Sequence, residues 1–281
     1  MNAHDLHVLH YEGFGKNLLK KHKFSPDAGA QLIKQLAFHK MFGRPGVTYE
    51  SAQTRKFKLG RTEVIRSASK ESKTWAEAML SPSPPSPREL KALFGKAVAR
   101  HMQYSAWAAD GQGVDRHLFG LKKLVRADEE LPGIYKDSAY GRSSHWELST
   151  SQLSSRYFDG WGYGEGKFSF FFVVGFFTFT FLLRVVFRFT LPFPCSFFFP
   201  FLSLGVKCQA DNIISNSVVP DGYGLSYSIG DDYIRWTITS LKRDTKVLKH
   251  YLAEAASEVK AMLEAAEKAE KKAVEMKEVK L

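Results

Sequence analysis

The side chains best suited to chemistry lie in one polar stretch, Thr48 to Ser69. It is rich in hydroxyl groups and arginines, and its polar and apolar residues are spaced too irregularly to form one face of a helix. Hydroxyl groups donate and accept hydrogen bonds, and arginines hold anions in a fixed geometry. The stretch could therefore line a site for a small anionic ligand.

Charge and cysteine content restrict the partners and the compartment. The 281 residues carry a net charge of +11, which suits nucleic acid, an anionic lipid or a phosphorylated cofactor, or else is simply a solvated basic surface. The 2 cysteines argue against a disulfide scaffold and favour a reducing compartment. No cluster of cysteine and histidine has metal-ligand spacing, so we predict no metal site. The first residues lack the apolar core of a secretory signal.

Strand and helix patterns are mixed along the chain and predict an α/β body that positions the polar stretch. Ser25 and Pro26 are typical of a helix start, and Gly43 is typical of a helix end. In the helix over 88–107 we expect the buried face to continue as far as Met102 and Trp107. The predicted strands are 5–11, 146–151 and 233–241, and the predicted helices are 26–42, 74–80, 88–107, 115–126 and a long one after Asp244.

Residues 166–217 differ in composition from the rest of the chain. They hold 15 of the 23 phenylalanines and both cysteines. The uncharged run 168–183 is shorter than the ~20 residues that a bilayer requires, and prolines interrupt the run that follows. Codons for Phe, Leu, Ser and Pro are rich in pyrimidines, and Gly166-Lys167, Ala210-Asp211 and Ser217-Val218 can be encoded by splice-donor, branch-point and acceptor sequences. We interpret 166–217 as a translated intron between domain parts 1–165 and 218–281, with a membrane segment within 168–204 or a genuine disordered or apolar insert as alternatives.

Outside that insert, eight short motifs follow one another in a characteristic order and spacing. They are Phe14–Lys16, Lys23–Asp27, Thr48–Ser51, Leu59–Thr62, Ile65–Ser69, Asp115–Leu121, Leu148–Gln152 and Val218–Gly224. Through them, nearly the whole chain resembles the choline/carnitine acyltransferase family, and within it the members that transfer acetyl groups. The resemblance implies the α/β fold of the chloramphenicol acetyltransferase type, a mixed sheet flanked by helices, here incomplete. It also implies a monomer that uses CoA and acetyl-CoA as co-substrates and binds no permanent cofactor or metal.

The resemblance implies a carnitine site in and beyond the polar stretch. Tyr49, Ser51 and Thr62 match residues that hydrogen-bond carnitine, and Arg116 matches an arginine that faces the carnitine carboxylate. A guanidinium group suits a carboxylate and favours carnitine over choline, which has none. Taken without the resemblance, an arginine that follows an aspartate is more simply a surface ion pair.

The resemblance also implies an oxyanion contact, an acyl-chain gate and a CoA site. Ser151 would stabilise the tetrahedral oxyanion. The bulky Trp161 suggests a short acyl group such as acetyl, unless it is an ordinary aromatic residue in a glycine-rich strand. Met102 stands where a family member can carry a CoA-binding arginine, which puts that contact in doubt. The remaining CoA contacts would be Lys16, Lys20, Lys21, Lys23, Ser25, Asp27 and Gln152, although lysines before a helix are otherwise simply solvated.

The family's reaction needs a histidine as general base, which takes a proton from the carnitine hydroxyl or the CoA thiol. None of the 9 histidines stands in the sequence context of that base, and we assign none of them to the role. We therefore expect the chain to be the C-terminal half of a carnitine acetyltransferase. Alone, it should be inactive and prone to aggregation.

Two other functions and the location stay open at this point. The chain could be a non-catalytic remnant that binds a ligand or is anchored in a membrane by 168–204. A nucleic-acid binder is less favoured, because the lysines lack a groove-reading motif. By family, we expect the peroxisome or the mitochondrion, and Val279-Lys280-Leu281 weakly resembles a peroxisomal signal.

Overall fold

The structure, a computed structural model, describes residues 4–152 and 219–278. Helices and strands are mixed along these residues, as the sequence pattern predicts. The strands are β1 (Asp5–Tyr11), β2 (Thr48–Gln53), β3 (Thr62–Ile65), β4 (Leu148–Gln152), β5 (Tyr223–Ile229) and β6 (Ile234–Ser240). The helices are α1 (Lys16–Lys21), α2 (Pro26–Phe42), α3 (Lys70–Met79), α4 (Pro87–Ala109), α5 (Asp115–Leu124), α6 (Gly133–Lys136), α7 (Ser138–Ser143) and α8 (Thr245–Glu278).

The described strands form one mixed sheet in the order β1-β6-β5-β4-β2-β3. The central strands β5, β4 and β2 run parallel to one another. The pairs β1/β6, β6/β5 and β2/β3 are antiparallel. The register places Tyr49 of β2 beside Ser149 of β4, and Ser151 of β4 beside Ser226 of β5. The two motifs that the sequence singled out on β2 and β4 are therefore on adjacent strands.

Helix α2 lies at the centre of the core that covers one face of this sheet. Every residue from Ala28 to His39 is buried, and α2 contacts α3, α4, α8 and β5. Its ends are fixed as predicted: the Ser25 hydroxyl accepts the Ala28 N–H at 3.3 Å, and Gly43 takes a left-handed conformation with φ of 69°. The sheet contributes the aromatic side chains of Tyr223, Tyr227 and Trp236 to this core. Burial of this apolar surface is the main force that holds α2 against the sheet.

The opposite face of the central strands is rich in hydroxyl groups. Successive residues of a strand point to opposite faces, so Tyr49 and Ser51 lie on one side of the sheet while Glu50 points to the helical side. The register extends this alternation to the neighbouring strands. We call this surface the hydroxyl face, and its members are Tyr49, Ser51, Thr62, Ser149, Ser151, Ser226 and Thr237.

The buried face of α4 differs from the prediction in its second half. Leu90, Phe94 and Val98 are buried as expected, but Met102 is 52% exposed and Trp107 is 43% exposed. The second half of α4 instead packs on β2 and β3 through His101 and Ala108, which are two turns apart. Met102 and Trp107 point away from that contact, so the expectation that they are core residues was wrong.

Several predictions fall on residues outside the described ranges. These are the acyl-chain gate at Trp161, the interpretation of 166–217 and the signal-like Val279–Leu281. Among residues 4–152 and 219–278, no helix combines the length and the apolar character needed to span a bilayer.

Candidate functional site

Three of the four residues expected to hold carnitine meet at the edge of the sheet. Arg116, in the first turn of α5, donates from Nη2 to the Tyr49 hydroxyl at 2.7 Å and to Thr62 Oγ1 at 3.3 Å. Its Nε donates to the Thr62 carbonyl at 3.1 Å. The guanidinium group also lies 5.6 Å from the centre of the Tyr49 ring. These contacts fix the orientation of the guanidinium plane beside the hydroxyl face.

The aspartate that precedes Arg116 is bound by a different arginine. Arg66 donates to Asp115 from Nη2 at 2.6 Å and from Nε at 3.0 Å, and it lies 4.6 Å from the Trp146 ring. The nearby Glu63 carboxylate accepts the Arg116 backbone N–H at 3.2 Å rather than its guanidinium. Within the described ranges, no carboxylate lies in ion-pair contact with the Arg116 side chain. Asp115 therefore forms a mostly buried ion pair with Arg66, and the Arg116 side chain is oriented by neutral partners.

Ser51 and Ser151 extend the hydroxyl face beyond Tyr49. Ser51 lies two residues along β2 on the same side as Tyr49 and is exposed. Ser151 is half-buried on the neighbouring strand, two residues beyond the Ser149 that pairs with Tyr49. Adjacent strands are about 4.8 Å apart, so a ligand held by Tyr49 and Ser51 lies within reach of Ser151.

The lysines expected to bind CoA lie on α1 and in the link to α2, and two of them have acidic partners. Lys16 Nζ lies 2.7 Å from Asp231 of the β5–β6 turn, and Lys21 Nζ lies 2.6 Å from Glu267 of α8. The hydrogen bond and charge of Asp231 raise the pKa of the Lys16 amino group. Lys20 and Lys23 are exposed. An anionic ligand would therefore compete with carboxylates for two of the four lysines.

The other three expected CoA contacts lie at the start of α2 and the end of β4. Ser25 is occupied as the N-cap of α2. Asp27 accepts a hydrogen bond from the Tyr227 hydroxyl at 2.6 Å, and Gln152 is exposed and pairs with Tyr227 in the β4–β5 register. Tyr227 thus links two residues that sequence reasoning had placed in the same subsite.

A buried cluster of charged groups lies on the helical side of the sheet, behind the hydroxyl face. Glu50 Oε2 and His101 Nε2 are 2.9 Å apart, and a carboxylate oxygen of Asp27 lies within 4.8 Å of both groups. Burial raises the pKa of the Glu50 carboxyl. The three residues come from α2, β2 and α4, so no spacing in the sequence could have indicated the cluster.

Lys34 of α2 completes this cluster. Its side chain is 1% exposed, and Nζ lies 3.3 Å from the centre of the Tyr227 ring, a cation–π contact. In the described part of the chain, Nζ has no hydrogen-bond partner. Burial lowers the pKa of Lys34 to about 7, while Glu50 and Asp27 act in the opposite direction. A carboxylate pair with a histidine can hold a divalent cation, but here Lys34 shares their surroundings, so we treat the group as a buried charge network.

The His101–Glu50 pair resembles a catalytic histidine and its carboxylate, but it is on the wrong side of the sheet. The His101 side chain is 3% exposed, and Glu50 points away from the face that carries Tyr49 and Ser51. A general base must reach the proton that it removes. His101 is therefore not a base for a ligand bound on the hydroxyl face.

The mixed α/β fold is consistent with the match to a known family. The model of the Choline/Carnitine o-acyltransferase family matches residues 1–174. The chain belongs to this family.

Individual relatives are carnitine acyltransferases. Carnitine O-acetyltransferase of Columba livia is 33% identical over 272 residues, which is 94% of this chain and 34% of the relative. The mitochondrial carnitine O-acetyltransferase of Saccharomyces cerevisiae is 44% identical over 166 residues, 59% of this chain and 25% of the relative. The mitochondrial carnitine O-palmitoyltransferase 2 of Mus musculus is 36% identical over 242 residues, which is 85% of this chain and 29% of the relative. The chain thus spans between a quarter and about a third of the length of these relatives.

Proposed function

We propose that this chain binds carnitine and CoA as part of an enzyme that transfers an acyl group between them. The observation that carries the proposal is the orientation of Arg116 by Tyr49 and Thr62, with no carboxylate in ion-pair contact with its side chain among the described residues. Carnitine offers the missing carboxylate. Choline does not, so this site favours carnitine as the acyl acceptor.

The other assignments follow from this orientation. With its carboxylate at Arg116, carnitine would lie across the hydroxyl face, where Ser51 contacts it and Ser151 stabilises the oxyanion that forms at the acyl carbonyl. CoA would approach from the helix α1–α2 side, along the lysines, Ser25 and Asp27, towards Gln152. We propose acetyl or another short acyl group, because Trp161 stands at the chain-length position. No metal or permanent cofactor takes part in this scheme.

No histidine of this chain is assigned as the general base, and we propose that the chain alone does not turn over. Domain parts 1–165 and 218–281 would form the C-terminal half of an acyltransferase domain with a fold like that of chloramphenicol acetyltransferase. Family membership favours this function over a membrane-anchored remnant. The relatives named mitochondrial support the mitochondrion as its location, with the peroxisome as the alternative.

Isothermal titration of the purified chain with L-carnitine and with CoA tests the proposal. We expect Arg116→Ala to weaken carnitine binding at least about tenfold, the loss of one charged hydrogen-bonding group, and to leave CoA binding unchanged. Arg126→Ala, which removes an exposed arginine paired with Asp128 and Glu129, is the matched control and should change neither affinity. Failure of the chain to bind carnitine, or equal losses in the two variants, would refute the proposal. Acetylcarnitine formation by the chain alone would refute the absence of a base.

A further inference from the structure

A line of hydrogen bonds runs from the start of α2 to the backbone of β2 at Tyr49. Tyr227 donates to Asp27 Oδ1 at 2.6 Å. Gln31 Nε2 donates to the Tyr227 hydroxyl at 3.1 Å and to Thr150 Oγ1 at 3.0 Å. Thr150 Oγ1 donates to the Tyr49 carbonyl at 3.0 Å. We call these five residues the Gln31 relay.

The relay has one consistent polarity, with Gln31 at its centre. The hydroxyl groups of Tyr227 and Thr150 each use their single proton outwards, towards Asp27 and the Tyr49 carbonyl. Each hydroxyl oxygen therefore needs a donor from the inside, and the two N–H bonds of the Gln31 amide supply both. A carboxylate or an apolar group at position 31 could not replace them.

The three inner residues of the relay are enclosed, so the hydrogen bonds between them have no substitute in water. Gln31 and Thr150 are 0% exposed, and Tyr227 is 1% exposed. Burial raises the pKa of the Tyr227 hydroxyl well above its ordinary value, so that this group stays protonated and keeps donating to Asp27. A buried polar group that loses its hydrogen-bond partner destabilises the fold, because no water molecule can take the partner's place. A shift at one end of the relay is therefore opposed at the other end.

The relay ends at both proposed subsites. Asp27 belongs to the proposed CoA contacts, Tyr49 orients Arg116, and Thr150 lies directly before Ser151 on β4. We propose that Gln31 is a positioning residue that couples the two subsites, so that bound CoA strengthens the binding of carnitine. This inference rests on the proposed function, because it needs both ligands to bind where that function places them.

The test is the affinity of the full chain for L-carnitine, measured calorimetrically with and without saturating CoA. We expect CoA to strengthen carnitine binding at least about fivefold in the unmodified chain, the lower end of ordinary coupling between two sites. The factor should fall below about twofold in Gln31→Met and in Tyr227→Phe, which break the relay at its centre and at its CoA end. In the variant that carries both substitutions, the coupling factor should fall no further than in either single variant, because both substitutions interrupt the same relay.

Gln35→Met is the matched control. Gln35 lies one turn further along α2 and is nearly as enclosed, and its Nε2 lies within hydrogen-bond distance of oxygens of Gly46, Thr48 and Ser67 rather than of the relay. Gln35→Met should destabilise the fold, because it removes a buried glutamine, but it should leave the coupling factor unchanged. Tyr227→Phe removes a single oxygen atom and keeps the test valid if Gln31→Met does not fold.

The possible results separate the two proposals. If both ligands bind but CoA does not change the carnitine affinity, or if Gln31→Met and Gln35→Met reduce the coupling equally, Gln31 is not a positioning residue and the proposed function stands. If neither ligand binds, the proposed function fails and this inference fails with it. Coupling lost in Gln31→Met and Tyr227→Phe and kept in Gln35→Met supports both.

Discussion

Lys34 should make the stability of this chain depend on pH near neutrality. Its ordinary pKa of 10.5 falls to about 7 in the folded chain because the amino group is buried. Between these two values the unfolded chain holds a proton that the folded chain has lost. The free energy of unfolding contributed by Lys34 therefore rises with pH, by about 2 kcal/mol between pH 7 and pH 9.

The assay is urea unfolding at pH 7 and pH 9 for the unmodified chain and for Lys34→Met, which has a similar length and no charge. From pH 7 to pH 9, the unfolding free energy of the unmodified chain should rise relative to that of Lys34→Met by about 2 kcal/mol. Lys40→Met is the control, because Lys40 pairs with Glu254 at 3.2 Å and Glu258 at 2.5 Å. Those partners raise the pKa of Lys40, so it stays charged throughout this window.

The reasoning is refuted if the Lys34→Met difference is the same at both pH values within about 0.5 kcal/mol, a typical error of such measurements. That result would mean that Lys34 stays charged when folded. The cation–π contact with Tyr227 and the carboxylates of Glu50 and Asp27 would then outweigh its burial.

Three further substitutions test other parts of the account. Glu50→Gln should lower the unfolding free energy by about 2 kcal/mol in urea titrations, because the buried His101 loses its carboxyl partner. Asp115→Asn should weaken carnitine binding several-fold in calorimetry, because it loosens the ion pair between Arg66 and Asp115 that fixes the start of α5. An unchanged affinity would mean that this ion pair does not position Arg116. Asp231→Asn should strengthen CoA binding about threefold at low salt, because Lys16 is released from its partner, and an unchanged affinity would remove Lys16 from the CoA site.

Local signals were enough to predict the elements that have strong caps or clear periodicity. The strand over 5–11 and the helix over 26–42 are confirmed, the latter because Ser25 and Gly43 fix its two ends. Strand β2 was not recognised as a strand, because its helical-side residue Glu50 is polar and the usual apolar alternation is absent. Helix α1 has no helix signal in the sequence, since it has six residues and no side-chain cap.

The candidate site was predictable in part. Motif resemblance grouped Tyr49, Thr62 and Arg116, and the structure brings them into contact, although their binding roles stay predictions. The network behind them was not predictable, because Gln31, Lys34 and their partners come from elements far apart in sequence. Tertiary packing alone creates it.

Recognition of a carboxylate by Arg116 is tested by comparing the binding of L-carnitine with that of choline. The two ligands share the trimethylammonium group, and only carnitine has the carboxylate. Calorimetric titration of the purified chain should show at least about a tenfold preference for L-carnitine, and Arg116→Ala should abolish the preference without changing choline binding. Equal affinities for the two ligands in the unmodified chain, or a preference that survives in Arg116→Ala, would contradict the account.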